Sequence, residues 1–301
     1  LSAVSDAPDR PVTAPAVIAD LGGVAADVMA RIAQAKRPLV VVGGPHWSPD
    51  AAADLARFAD GQGLPIAAGF RRQDYIDNRH ANYAGDLNVG INPRLAKRLR
   101  EADLLVLIGT RFGDIETQGY TNPSPDSACP IIHIHADVNE IGSVYSAEMS
   151  VVARAPDMVA ALAAQPGCGT DWAEWTAAAR ADYDAWLVPT ESPGALKQEA
   201  VIGWLSATLP DNAIVTNGAG NYAAWLHRYF VYKRHGTQLA PTSGSMGYGF
   251  PAAISASLHC PDRTVVCLAG DGCFQMTCNE LSAAAQHGAT PIVVVMDNGR
   301  Y

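Results

Sequence analysis

Residues 264–272 read TVVCLAGDG, and residues 291–299 read PIVVVMDNG. Each is a short apolar run that ends in glycine and a carboxylate or amide, with a helical pattern between them. Runs of this length, apolar without alternation, are strands buried on both faces. A strand, helix, strand order makes the pair parallel and adjacent, so Asp271 and Asn298 reach the same edge of one sheet. Open parallel sheets bind ligands at that carboxyl edge. One magnesium ion held by two such oxygens and a phosphate accounts for the pair. Gly270 and Gly272 allow a sharp turn beside a ligand, and the amides of Gly272 and Cys273 at the helix start face a phosphate. Taken alone, the stretch reads equally as a tight Asp-Gly turn without a ligand.

The same alternation extends back along the chain. Residues 1–20, rich in Pro, Ala and Asp, are expected to be a linker. A first unit over 21–165 has strands expected at 38–42, 64–68, 103–108, 130–135 and 150–153. Its helices are expected at 24–35, 49–60, 93–101, 139–144 and 156–164, with Ser48 and Asn92 as caps. Residues 166–194 break the rhythm with Pro and Gly around a Trp-rich helix at 171–187, and are expected to be an interdomain connection. A second unit over 195–301 has helices at 196–209 and 250–258, and another opening at Gly218-Ala219-Gly220-Asn221. Its strands are expected at 213–216 and 238–240, followed by the two terminal runs. The fold class is therefore α/β, two doubly wound parallel-sheet domains.

With 21 basic against 30 acidic residues in 301, the chain offers no positive field for nucleic acid. No apolar run approaches the roughly 20 residues that span a bilayer. The first residues, LSAVSDAPDRPVTAPA, carry neither a secretion pattern nor an initiating Met, as expected of a segment from a longer chain. The six cysteines form no CxxC pair, so they are expected reduced, in the cytoplasm. His133 and His135 alternate on a strand and share a face, where a metal pair or a structural role are both open. Arg71, Arg72 and Arg111 are read as phosphate ligands or as a solvated surface.

GDG, about two dozen residues and then Asp297-Asn298 resembles the fingerprint of thiamine-diphosphate-dependent enzymes, whose terminal pair is usually Asn-Asn. The resemblance implies that Asp271, Asn298 and the main-chain carbonyl of Arg300 hold magnesium. Residues 240–253, APTSGSMGYGFPAA, look like the loop that seats the aminopyrimidine ring in acetolactate-synthase-like members. By that likeness the Gly244 carbonyl accepts from the ring's amino group, Ser245 lies beside it, and Met246 wedges the bent cofactor. Residues 216–222, TNGAGNY, are similar to the diphosphate-binding helix start, with Gly220 and Asn221 in the cofactor set. Asn221 stands where many relatives carry His.

The resemblance covers the whole chain: 21–165 as the central domain and 195–301 as the first half of the diphosphate-binding domain. It implies thiamine diphosphate and magnesium as cofactors and a small 2-oxo acid as substrate. Decarboxylation and carboligation like that of acetolactate synthase is the activity it implies. The family's pyrimidine-binding domain, with the glutamate that activates the cofactor, is expected upstream. No catalytic residue is therefore assigned here, and this chain alone is expected to be inactive. Glu199 and Glu280 are read as structural. Two alternatives stay open: a simple 2-oxo acid decarboxylase, and a non-catalytic cofactor-binding module that needs a partner domain. Residues 109–114 (GTRFGD) and 133–141 (HIHADVNEI) partly parallel the segments that hold FAD in acetolactate synthases, which leaves FAD open. A homodimer or homotetramer is implied.

Overall fold

A computed structural model describes residues 20–169, 172–192 and 194–297. Its first sheet is built from β1 (Pro38–Val42), β2 (Ile66–Ala68), β3 (Tyr83–Asp86), β4 (Leu104–Ile108), β5 (Ile131–His135) and β6 (Met149–Val152). The strands lie in the order β3-β2-β1-β4-β5-β6, and every pair is parallel. The order turns back between β1 and β4, which is where an open sheet forms its ligand crevice.

β1 (PLVVV) and β4 (LLVLI) are buried along their whole length. Alternate side chains feed two cores, because successive Cβ atoms point to opposite faces. Val40, Val42, Val106 and Ile108 face one core, together with α1 (Leu21–Ile32), α2 (Pro49–Gln62) and α4 (Ala155–Ala163). Leu39, Val41, Leu105 and Leu107 face the other, against α3 (Pro93–Glu101). The expected caps hold: the Ser48 hydroxyl accepts from the Ala51 amide, and the Asn92 side chain accepts from that of Arg94.

Three details depart from the sequence reading. Residues 139–144 are turns rather than a helix. The Asp137 carboxylate takes both the backbone and the side-chain NH of Asn139, at 2.9 Å each, and Gly142 sits at φ 77°. Such a local side-chain turn competes with helix formation. β3, only four residues long with Gly85 at φ 112°, has too little pattern to be read from sequence. The segment expected as a connection carries α5 (Ala173–Leu187), which the first unit absorbs. Trp172 donates from its indole to the Gln62 carbonyl at 3.0 Å, and the Tyr183 ring meets Tyr83 edge-on at 4.8 Å.

The second sheet comprises β7 (Ile214–Asn217), β8 (Gln238–Leu239), β9 (Val265–Gly270) and β10 (Ile292–Met296), all parallel in the order β10-β9-β7-β8. Around it pack α6 (Gln198–Thr208), α7 (Tyr222–Tyr229) and α8 (Gly249–His259). The stretch after GDG is not one helix. It divides into α9 (Asp271–Gln275), a 3-10 turn at Cys278–Glu280, and α10 (Leu281–His287). Thr277, at φ −134°, breaks the run and donates from its hydroxyl to the Gly247 carbonyl at 3.1 Å.

The loop after β2 joins the two units. Asp74 Oδ2 accepts the amides of Gly236, Thr237 and Gln238 at 2.9–3.1 Å. Asn78 exchanges two bonds with the backbone of Tyr232, at 2.8 and 2.9 Å. Buried Arg71 donates to the Pro241 carbonyl. Arg71 therefore belongs to this joint and not to a surface or phosphate site.

Candidate functional site

The register of β9 and β10 pairs Gly270 with Met296. Asp271 and Asp297 are the next residues on each strand, so both leave the sheet at its carboxyl edge. Asn298 and Arg300, the other expected metal ligands, lie outside the described residues. Asp271 opens α9 half-buried, with Gly272 and Cys273 buried behind it.

Two more loops meet this edge. β7 lies on the other side of β9, and its loop 218–221 leads into α7. The Gly218 amide donates to the Tyr222 hydroxyl at 2.9 Å, that hydroxyl donates to Cys273 Sγ at 3.6 Å, and the thiol donates to the Ala219 carbonyl at 3.0 Å. Gly220 and Asn221 are exposed at the tip. Asn221 precedes α7, but its side chain makes no cap hydrogen bond, so no N-cap of the ordinary kind forms there. The loop 240–249 presents Gly244, Ser245 and Met246 to solvent. It is fastened to the end of α9 through Gly247, whose carbonyl takes the Thr277 hydroxyl.

The three expected segments thus come together, and their chemistry fits a magnesium diphosphate group. Asp271 supplies a hard oxygen. Among the described residues no three His, Cys, Asp or Glu side chains converge. Asn217, fully buried at the end of β7, has an Oδ1 without a hydrogen-bond partner among the described residues. An orphaned buried acceptor of this kind marks a place for water or a ligand.

A second concavity, of about 920 Å³, lies at the switch point of the first sheet. Its walls include Gly44, Thr110, Arg111, His135 and Arg154, with Thr242 and Ser243 of the second unit closing one side. The loops after β1 and β4 touch: a Cβ on Gly44 would lie 1.9 Å from the Gly109 carbonyl oxygen, and both glycines have positive φ. Only glycine fits there. Buried Glu116 ties the loop after β4 to the loop after β2 by accepting from the Thr110 hydroxyl, the Phe70 amide and the Gly113 amide at 2.7–3.1 Å. Burial pushes its carboxyl up, against the pull of those donors. Nothing in the residues around Glu116 points to this role, since an isolated glutamate reads as surface.

Of the arginines considered, Arg72 and Arg111 line this crevice, and Arg111 also pairs with Glu140 at 2.8 Å. His133 and His135 stand with ring centroids 6.0 Å apart. His133 bonds the Thr110 carbonyl at 3.0 Å, and burial lowers its pKa to about 4. His135 Nδ1 accepts from the Asp137 amide at 3.0 Å. Both are committed to backbone. Glu199 accepts from the Ser192 hydroxyl at 2.7 Å, and Glu280 accepts from the adjacent Asn279 side chain at 3.2 Å on an exposed face. No described helix is long and apolar enough to cross a membrane.

Residues 25–162 match the pattern of the thiamine pyrophosphate enzyme central domain, and residues 218–301 that of the C-terminal TPP binding domain. The acetolactate synthase large subunit of Corynebacterium glutamicum is 30% identical over 277 residues, 89% of this chain and 44% of that protein. The large subunit of Escherichia coli acetolactate synthase isozyme 1 is 29% identical over 280 residues, 90% of this chain and 48% of that protein. Among solved structures, the Rhodococcus jostii thiamine diphosphate-dependent 4-hydroxybenzoylformate decarboxylase superposes with a TM-score of 0.73 at 22% identity. It covers 97% of this chain and 54% of that one, a likeness of fold. The chain spans about half the length of the curated relatives it matches.

Proposed function

The chain belongs to the thiamine pyrophosphate enzyme family, and from that premise we propose that the intact protein decarboxylates a 2-oxo acid and joins the product to a second carbonyl, as an acetolactate-synthase-like enzyme. The observation that carries the reading is the parallel register of Gly270 with Met296, which sends Asp271 and Asp297 out at one edge. Bound there, thiamine diphosphate supplies the nucleophile and the electron sink that such chemistry needs.

This chain's residues hold and orient. Asp271, Asn298 and the Arg300 carbonyl would hold magnesium, and the backbone at Gly220, Asn221, Gly272 and Cys273 would face the diphosphate. Gly244 would take the aminopyrimidine ring through its carbonyl, beside Ser245. Met246, 41% exposed, offers an unbranched apolar side chain to the space above the edge. The activating glutamate is assigned to a pyrimidine-binding domain outside this chain, in a homo-oligomer where each cofactor lies between subunits. We assign FAD to the crevice at the first sheet's switch point. Its volume lies within the ordinary range for ligand sites, and Arg72, Arg111 and Arg154 line it.

The test is turnover by the intact protein. Pyruvate with thiamine diphosphate and magnesium should yield carbon dioxide and acetolactate, whereas residues 1–301 alone should yield neither. Aldehyde without carboligation would favour a simple decarboxylase. No binding of thiamine diphosphate at all would overturn the reading, and absence of flavin absorbance from purified material would remove FAD.

A further inference from the structure

We infer that Tyr222 is a positioning residue that clamps the loop after β7 to the junction of β9 and α9, so that the two phosphate-facing segments form one rigid cradle. The inference rests on the function proposed above and adds a residue to it.

Tyr222 is the first residue of α7 and is 8% exposed. Its hydroxyl stands in a one-way hydrogen-bond relay: Gly218 NH to Tyr222 Oη, Tyr222 OH to Cys273 Sγ, and Cys273 SH to the Ala219 carbonyl. The relay leaves the first loop, crosses to the residue two positions after Asp271, and returns. Each bond in such a chain polarises the next. It also engages the Gly218 NH, which therefore takes no part in binding an anion.

The ring performs the second half of the task. A Cβ added at Gly220 would lie 3.0 Å from the Tyr222 ring, and one at Gly270 3.1 Å from it. A Cβ at Gly218 would meet Cys273 Sγ at 2.7 Å and the Tyr222 hydroxyl at 3.1 Å. Glycines from the loop after β7 and from the end of β9 therefore surround one aromatic side chain. Gly218 and Gly270 are needed for the chain's own packing, and not only to let a ligand come near. Because Asp271 follows Gly270 directly, the ring sets where that carboxylate leaves the sheet.

The experiment uses the intact protein with two variants, Tyr222→Phe, which keeps the ring and removes the hydroxyl, and Gly270→Ala, which presses a methyl against it. Binding of thiamine diphosphate and of inorganic pyrophosphate, each with magnesium, is measured by calorimetry well below every variant's melting temperature. Both variants should weaken both ligands in parallel, by roughly tenfold, the scale of losing a supporting contact around a ligand site. A parallel loss on the phosphate-only probe is not expected of a merely structural tyrosine. Unchanged affinities, or a loss confined to thiamine diphosphate, would overturn the clamp while leaving the site itself in place. If the wild type binds neither probe, the functional reading fails and takes the clamp with it.

Discussion

Gln73 and Gln238 exchange two hydrogen bonds across the boundary between the sheets: the Gln73 amide donates to Gln238 Oε1 at 2.8 Å, and Gln238 Nε2 donates to Gln73 Oε1 at 2.9 Å. His227 Nδ1 reaches the same Gln73 oxygen at 2.9 Å, and Gln73 Nε2 donates to the His227 carbonyl at 2.8 Å. His227 is held neutral, its pKa lowered to about 3 by burial and by Arg71. Gln73 and Gln238 are buried and tied to each other and to His227 by these bonds, which hold the two units at one relative position, while His227 Nε2 has no partner among the described residues.

Gln238→Ala should therefore cost about 1–3 kcal/mol, because it strands the buried Gln73 amide. Scanning calorimetry should show a lower melting temperature. An unchanged melting temperature would mean that the joint contributes nothing to stability.

Asp271→Ala should weaken magnesium-dependent binding of thiamine diphosphate by roughly tenfold or more, as loss of a hard oxygen ligand requires. Titration calorimetry on the intact protein measures it, with melting of the unliganded protein as the control for folding. Equal affinity would place the ion elsewhere.

Asp86 gives a pH dependence. Burial raises its pKa from 3.8 to about 7, although Gln73 and Asn88 donate to it. Between those values the native state keeps a proton that the unfolded chain has released, so stability falls as pH rises through the window. Asp86→Asn should remove that slope and stabilise the protein at pH 8 by about 2 kcal/mol, a figure kept below the full shift because the residue retains some solvent contact. The new amide can donate to Asn88 Oδ1, which has no partner now. Urea unfolding at pH 5 and pH 8 decides it; equal slopes for wild type and variant would refute the assignment.

Glu116→Ala should destabilise by about 3 kcal/mol, since the Phe70 and Gly113 amides lose their acceptor in a buried place. Glu116→Gln should lose less, as it retains one accepting oxygen. Chemical denaturation of both variants gives the comparison, and identical losses would show that side-chain volume and not hydrogen bonding matters at this position.

Much of this was legible because burial on two faces writes a plain signal: PLVVV, LLVLI and TVVCLAG cannot be amphipathic surface pieces. Ser48-Pro49 and Asn92-Pro93 marked helix starts for the same local reason. Asp271 and the three converging segments could be placed because each follows a strand end. What stayed hidden depends on tertiary neighbours. Nothing adjacent to Arg71 says that the Pro241 carbonyl will accept its hydrogen bond, and nothing near Glu116 predicts three donors. The lost helix at 139–144 turned on one Asp137 carboxylate choosing the Asn139 NH groups.

The turn at 242–246 has two sides. Thr242 and Ser243 line the large crevice, while Gly244 to Met246, immediately next, are exposed on the stretch that leads to Gly247 and its bond to Thr277. A guest in the crevice would therefore lean on the same short turn whose next three residues are proposed to seat the aminopyrimidine ring, so that filling one place would stiffen the approach to the other.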